Sequence, residues 1–154
     1  MDRRDYLPLL IFNQIYKEID GLYHHYAKSC GLPDAAFWVL YSLAENDQIS
    51  TQRELCSAWC YSPQTVNSAL KKLEAQGLVK LESMKDSGRN KQILFTDAGK
   101  ALLQTVILPL MAAEQHTFDD LGEAKRDELL SLTQEYASLL RININQIINT
   151  SSED

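Results

Sequence analysis

Between Ser62 and Val79 the chain spells out one helix with its start, its stop and both of its faces. Ser62 is a favoured N-cap, and Pro63 suits the first helical position, where no backbone N–H is needed. Gly77 supplies the left-handed residue that commonly ends such a helix. At about 100° per residue, Val66, Ala69, Leu70 and Leu73 fall on one side and must be packed. Gln64, Asn67, Ser68 and Lys71 fall roughly opposite, with Thr65 and Lys72 on one flank. That outer face is long on uncharged hydrogen-bonding groups and carries two lysines. A merely solvated face more often alternates Glu and Lys in ion-pairing registers. Amides and hydroxyls backed by lysines suit base edges and phosphates in a major groove; an ordinary amphipathic helix in a small bundle is the alternative.

The flanking segments decide between the two. Thr51-Gln52-Arg53-Glu54 is a capping box, in which Thr51 and Glu54 satisfy each other's backbone N–H groups. Leu55 and Trp59, four residues apart, give the short helix that follows one apolar stripe. Downstream, Leu78–Glu82 and Gln92–Phe95 are β-prone runs separated by the polar turn Lys85-Asp86-Ser87-Gly88-Arg89-Asn90-Lys91. A cationic hairpin directly after a helix-turn-helix reads as a wing, whose tip arginine can enter a minor groove.

The run from Ser62 to Val79 resembles the recognition helix and following strand of the MarR family of winged-helix transcription regulators. Leu94-Phe95-Thr96-Asp97-Ala98-Gly99 is similar to the end of that family's wing and the cap of its next helix. Counted back from Thr96, Arg89 takes the position of the family's wing arginine. Ser87 stands where the family carries an aspartate, and Asp86 is the nearest acid. The resemblance implies a mainly α fold with a small β-hairpin wing: a winged helix-turn-helix core with long N- and C-terminal dimerisation helices. It implies a homodimer on DNA, and in many relatives a small aromatic or anionic effector bound between the winged-helix and dimer-forming parts. Tyr16, Tyr23, Tyr26, Phe37, Trp38 and Tyr41 stand on helices that could line such a crevice, although aromatics at helical spacing more often form core.

Charge distribution is compatible with DNA as partner. The 154 residues carry a net charge of −6. Between Ser50 and Thr96, however, seven cations (53, 71, 72, 80, 85, 89 and 91) face four acids, a net of +3, which leaves −9 for the remainder. Positive charge is gathered where phosphate would be met. The expected roles follow. Gln64, Thr65, Asn67 and Ser68 read bases; Ser62, Lys71 and Lys72 hold phosphates; Arg89, Lys85 and Lys91 engage the wing-side groove and backbone. The expected mode of regulation is repression relieved by an effector.

In chain order, a helix is expected from about Tyr6 to Ser29, with Leu9, Phe12, Tyr16, Ile19, Tyr23 and Tyr26 at three- and four-residue steps. Gly31-Leu32-Pro33 ends it, and a second helix follows over about Asp34–Glu45. After the wing, one helix is expected from Asp97 to about Phe118 with a kink at Pro109. A break over Asp119–Gly122 precedes a last helix to Ile148. Residues 1–30 and 100–148 thus read as dimerisation helices, 31–99 as the winged helix-turn-helix domain, and 149–154 as a disordered tail. The terminal helices carry more apolar surface than a core of some 65 residues can cover, and a second copy of the chain is the simplest partner. Two-fold symmetry would then call for a pseudo-palindromic operator.

Other chemistries find little support. No phosphate-binding loop, nucleophile elbow or paired His-Glu metal motif is present, so neither an enzyme nor a cofactor is expected. His24, His25, His116 and Cys30 lack the spacing of a metal site. Cys56 and Cys60 read as packing cysteines, since thiols four apart on a helix rarely reach disulfide geometry. A thiol-based redox sensor is a minority alternative, as is a winged-helix protein-interaction module without DNA binding. Three cysteines in no framework spacing fit a reducing compartment. No apolar run approaches the roughly 20 residues of a membrane span, and a cytoplasmic location is the default.

Overall fold

The computed structural model of the protein describes residues 7–46, 50–59, 62–83 and 91–150. The chain divides into two compact units, Met1–Pro109 and Leu110–Asp154.

The first unit begins with α1 (Leu7–Ser29) and α2 (Asp34–Glu45). Gly31, at φ 72°, lets α1 end in a Schellman cap: the N–H of Leu32 reaches the carbonyl of Ala27 at 2.9 Å, and that of Gly31 reaches Lys28 at 3.0 Å. Helix α2 is the centre of the core. Ala36, Phe37, Val39, Leu40, Tyr41, Ser42 and Leu43 are all buried, so it is covered on nearly every side. The buried Ser42 hydroxyl is satisfied by the Trp38 carbonyl at 2.6 Å. Helix α2 packs on α4 and on the chain near Val106, while α1 contributes only Ala27 to the buried set.

The helix-turn-helix consists of α3 (Gln52–Trp59) and α4 (Pro63–Ala75). The capping box forms as the sequence predicts: Glu54 N–H donates to Thr51 Oγ1 at 3.3 Å, and Thr51 N–H to Glu54 Oε2 at 2.8 Å. Ser50 N–H adds a second donor to the same carboxylate oxygen at 2.8 Å. The Ser50 hydrogen bond, and then those from Thr51, hold the Glu54 carboxyl below its usual range against the opposing effect of desolvation. Val66, Ala69, Leu70 and Leu73 are buried, which is the predicted inner face of α4. Gly77, at φ 69°, closes a second Schellman cap through Leu78 N–H to Leu73 O and Gly77 N–H to Glu74 O, both 2.9 Å.

The strands β1 (Val79–Ser83) and β2 (Lys91–Phe95) pair antiparallel, Val79 opposite Phe95 and Ser83 opposite Lys91. Three limits differ by one residue from the expected runs, Ser83 being added at the end of β1. Leu78 is taken by the cap of α4, and Lys91 joins the ladder instead of the turn. Ser50 also accepts from Ile93 N–H at 2.7 Å, and Thr51 bridges Gln92, so the entry to α3 lies along the hairpin edge. A single bridge has no periodicity for a sequence to display.

Thr96 closes this region. Its hydroxyl accepts from Gly99 N–H at 3.0 Å, capping α5 (Asp97–Leu102), and donates to the Gly77 carbonyl at 2.5 Å. Its N–H reaches the Leu78 carbonyl at 3.1 Å. Gly99 lies so close to that same carbonyl that a Cβ would stand 1.9 Å from the oxygen.

The helix beyond is not simply kinked at Pro109, as expected. It slips into a π turn over Leu103–Ile107 before resuming as α6 (Leu108–Leu121). Leu108 N–H donates to Leu103 O, five residues back. Proline offers no N–H, so an α ladder must lose a bond here, and the register changes one turn earlier. The Thr105 hydroxyl takes up carbonyls of the slipped turn, Ala101 at 3.0 Å and Leu102 at 3.3 Å.

In the second unit the expected break over Asp119–Gly122 shrinks to Gly122 alone, at φ 75°. Helix α7 spans Glu123–Thr150, two residues beyond the expected end. There the Thr150 hydroxyl satisfies the carbonyls of Gln146 at 3.0 Å and Ile147 at 2.9 Å. The rest of the expected tail lies outside the described residues. No residue of α7 is buried, and Leu129, Leu132, Tyr136, Leu139 and Ile147 are all exposed.

Gly99→Ala is expected to destabilise the fold by about 1–3 kcal/mol or more, because backbone must move to admit the methyl group; a lower urea midpoint at unchanged slope measures it. Glu54→Gln is expected to lower stability near neutral pH. Since the folded carboxyl is depressed, its contribution is present above the ordinary carboxylate pKa of about 4 and is lost as pH falls through the folded value. Unfolding midpoints of wild type and Glu54→Gln should therefore converge on acidification; a constant gap would place the effect elsewhere.

Candidate nucleic-acid interface

The outward face of α4 follows from its cap and its buried side. Gln64, Thr65, Ser68, Lys71 and Lys72 are exposed, and Asn67 is half-buried. The Ser62 hydroxyl accepts from Thr65 N–H at 3.1 Å and lies 2.8 Å from the Thr65 hydroxyl. Both hydroxyls therefore already take part in starting the helix. Gln52 of α3 donates its amide to the Pro63 carbonyl at 3.0 Å, which ties the first turn of α4 to the first turn of α3.

A groove of about 650 Å³ lies between α3, α4 and the hairpin. Asn67, Lys71 and Glu74 line it from α4, Gln52, Arg53, Cys56 and Ser57 from α3, and Lys91 from β2, over a floor of Leu70, Leu81 and Ile93. Lys71 and Lys91, twenty positions apart in the chain, thus share one depression with Arg53. Among the described residues no ion pair engages Arg53, Lys71, Lys72 or Lys91, while Lys80 is held by Glu82 at 2.5 Å within β1. The unpaired cations are free to meet an anionic partner.

Asn67, placed on the outward face by helical geometry, is half-buried where it lines this groove. Arg53 and Gln52 were legible only as parts of a capping box. Their place at the groove depends on how α3 crosses α4. Lys85 and Arg89 lie outside the described residues.

The aromatic residues expected near an effector crevice divide into two groups. Tyr23, Tyr26, Phe37, Trp38 and Tyr41 form one connected cluster, with ring centroids 5.1 Å apart for Tyr23–Trp38, 5.2 Å for Phe37–Trp38 and 5.4 Å for Trp38–Tyr41. Phe37 and Tyr41 are core, whereas Tyr23, Tyr26 and Trp38 are half-buried. Tyr16, on α1, is 67% exposed. The Tyr26 hydroxyl donates to the Val106 carbonyl at 2.7 Å. Burial pushes this phenol above its ordinary pKa, and Cys30 beside it adds to the effect.

Cys56 is half-buried at the groove rather than packed in the core, Cys30 is also half-buried, and Cys60 lies outside the described residues. His24 Nδ1 meets Asp34 at 2.6 Å, and His116 Nε2 lies 3.7 Å from Asp120. Among the described residues no group of three or more His, Cys, Asp or Glu is placed to hold a metal ion. None of the helices described is long and apolar enough to cross a membrane.

Residues 31–89, which contain the helix-turn-helix, match the sequence model of the MarR family. Nothing among curated proteins matches the chain. Among solved structures, NMB1585, a MarR family regulator from Neisseria meningitidis, is 23% identical; the similarity covers 95% of this chain and 99% of that one, with a TM-score of 0.72. MepR from S. aureus, solved in complex with DNA, is 22% identical over 84% of this chain and 96% of its own, with a TM-score of 0.67. A Listeria monocytogenes protein assigned to the MarR transcriptional regulators and complexed with a 26mer DNA is 19% identical over 88% and 89%, with a TM-score of 0.69. The helix-turn-helix segment is thus similar in sequence to the MarR family, and the chain as a whole has the winged-helix fold of these solved regulators.

Proposed function

We propose that the protein is a sequence-specific DNA-binding transcription regulator that acts as a homodimer on a pseudo-palindromic operator. The observation that carries the reading is the outer face of α4. Its exposed amides, hydroxyls and unpaired lysines continue into a groove with Arg53 and Lys91, and the fold is one that has been solved with DNA. Gln64, Thr65, Ser68 and the half-buried Asn67 read base edges. Ser62, Lys71 and Lys72 fix the phosphate register, and Lys85, Arg89 and Lys91 engage DNA from the wing. The acidic balance of the remaining chain faces away from DNA and keeps non-specific affinity low.

Dimerisation is supported by apolar surface left uncovered within one chain. On α1, Leu9, Ile15 and Ile19 are between 43% and 51% exposed, and on α7 Leu129, Leu132 and Leu139 are exposed as well. Faces of this size call for a partner, and a second copy offers self-complementary ones. Residues 1–30 and 100–148 are the dimerising segments in this reading, and 31–99 the DNA-binding domain. Repression is relieved when a small aromatic or anionic effector, held near the accessible faces of Tyr23, Tyr26 and Trp38, favours a dimer with wrongly spaced recognition helices. Such a regulator works in the cytoplasm.

Fluorescence anisotropy on duplexes selected from a random library tests the assignment. Gln64→Ala should cost about 1–3 kcal/mol and relax preference at one position of each half-site. Lys72→Ala should weaken all duplexes alike and reduce the salt slope by about 0.9 for each phosphate it no longer neutralises. Arg89→Ala should weaken selected and unselected duplexes through the wing. Failure to enrich any sequence would exclude the regulator reading in favour of a protein-interaction module.

A further inference from the structure

We propose that the π turn over Leu103–Ile107 is a register latch, held in its slipped state by the Tyr26 hydroxyl on the Val106 carbonyl and released when that bond is broken. The regulatory consequence rests on the function proposed above; the latch itself does not.

Three observations converge on this turn. The first is its cause. The turn ends two residues before Pro109, which has no N–H to give and would crowd the Thr105 carbonyl in an uninterrupted α helix. The second is local compensation: the Thr105 hydroxyl serves the Ala101 and Leu102 carbonyls, which stabilises the slipped state without sealing it. The third is an external tie. Tyr26 reaches the turn from α1, eighty residues away in the chain, at 2.7 Å. The turn also packs on α2, with Ile107 fully buried. A slipped turn beside a proline, tied to α1 by one long-range hydrogen bond, has the parts of a switch.

Its geometric effect is large for a small local change. A π turn holds one residue more than an α turn. Annealing it rotates α6 about the helix axis by about 100° relative to α5 and advances it by about 1.5 Å. Residues before the turn carry the DNA-reading elements, and those after it lead to α7. Any event at the Tyr26 hydroxyl is thereby converted into a rotation between the two ends of one helix.

The test uses residue-resolved amide exchange by NMR on the full chain, which does not depend on DNA binding. Tyr26→Phe keeps the ring against Phe37 and deletes only the bond. It should speed exchange at the Leu108 amide and its neighbours by about fivefold to tenfold, with the amides of α2 unchanged. Unchanged exchange at 103–108 overturns the latch. Deleting the exposed Gln104 makes the segment an ordinary α turn without altering the phase of α6; in that background Tyr26→Phe should have no effect on these amides, and an equal effect there overturns the assignment to the π turn. Operator affinity measured on the same variants then reads the coupling. Tyr26→Phe should change it at least about threefold; faster exchange with unchanged affinity overturns the link to DNA reading.

Discussion

The carbonyl of Leu78 is the joint on which the helix-turn-helix and hairpin depend. It follows the left-handed Gly77 that ends α4, accepts from the backbone of Thr96 where the hairpin returns, and touches the first turn of α5 at Gly99. Helix α4, the hairpin and α5 are thus referred to one peptide group. A joint of this kind transmits position rather than much energy. Its value lies in removing the freedom of three elements to move independently. Gly99 is needed there for lack of a side chain, since the helix must approach a backbone oxygen more closely than any Cβ allows.

The helix-turn-helix built on that joint is electrostatically unlike its own chain. An acidic protein of net −6 presents Lys71, Lys91 and Arg53 around one groove, without ion pairs among the described residues. Intramolecular pairing would have cost little and would have blunted attraction to phosphate. Leaving cations unpaired lowers local stability slightly and keeps the charge available at a surface where attraction is screened beyond about 8–10 Å. The polar residues beside them differ in how far the helix itself engages them. Ser62 and Thr65 are occupied by the cap, whereas Gln64 and Ser68 stand exposed.

Much of this was legible in residues alone because the signals are local. Ser62-Pro63, the Thr51–Glu54 capping box and the glycines at 31 and 77 each act within a few residues, through bonds a short peptide could make. The buried face of α4 follows from helical period alone. Less legible were features that depend on another element crossing nearby. That Asn67 and Arg53 line one groove follows only from the way α3, α4 and the hairpin are packed together. The π turn escaped for a related reason: Pro109 signals that a bond is lost but not how the backbone redistributes the loss.

Sequence by itself determined where the helices of the helix-turn-helix start and stop, which face of α4 is buried, and where positive charge is concentrated. Those properties depend on backbone geometry and on residue identity, both fixed before any long-range contact forms. Tertiary structure alone decided that Lys71 and Lys91 share a groove, that Phe37 and Tyr41 are core while Tyr23 and Trp38 keep an accessible edge, and that Tyr26 reaches Val106. Each of these brings together groups from different elements. No local propensity encodes such a meeting, because it follows only from the way the packed helices and hairpin exclude all other arrangements.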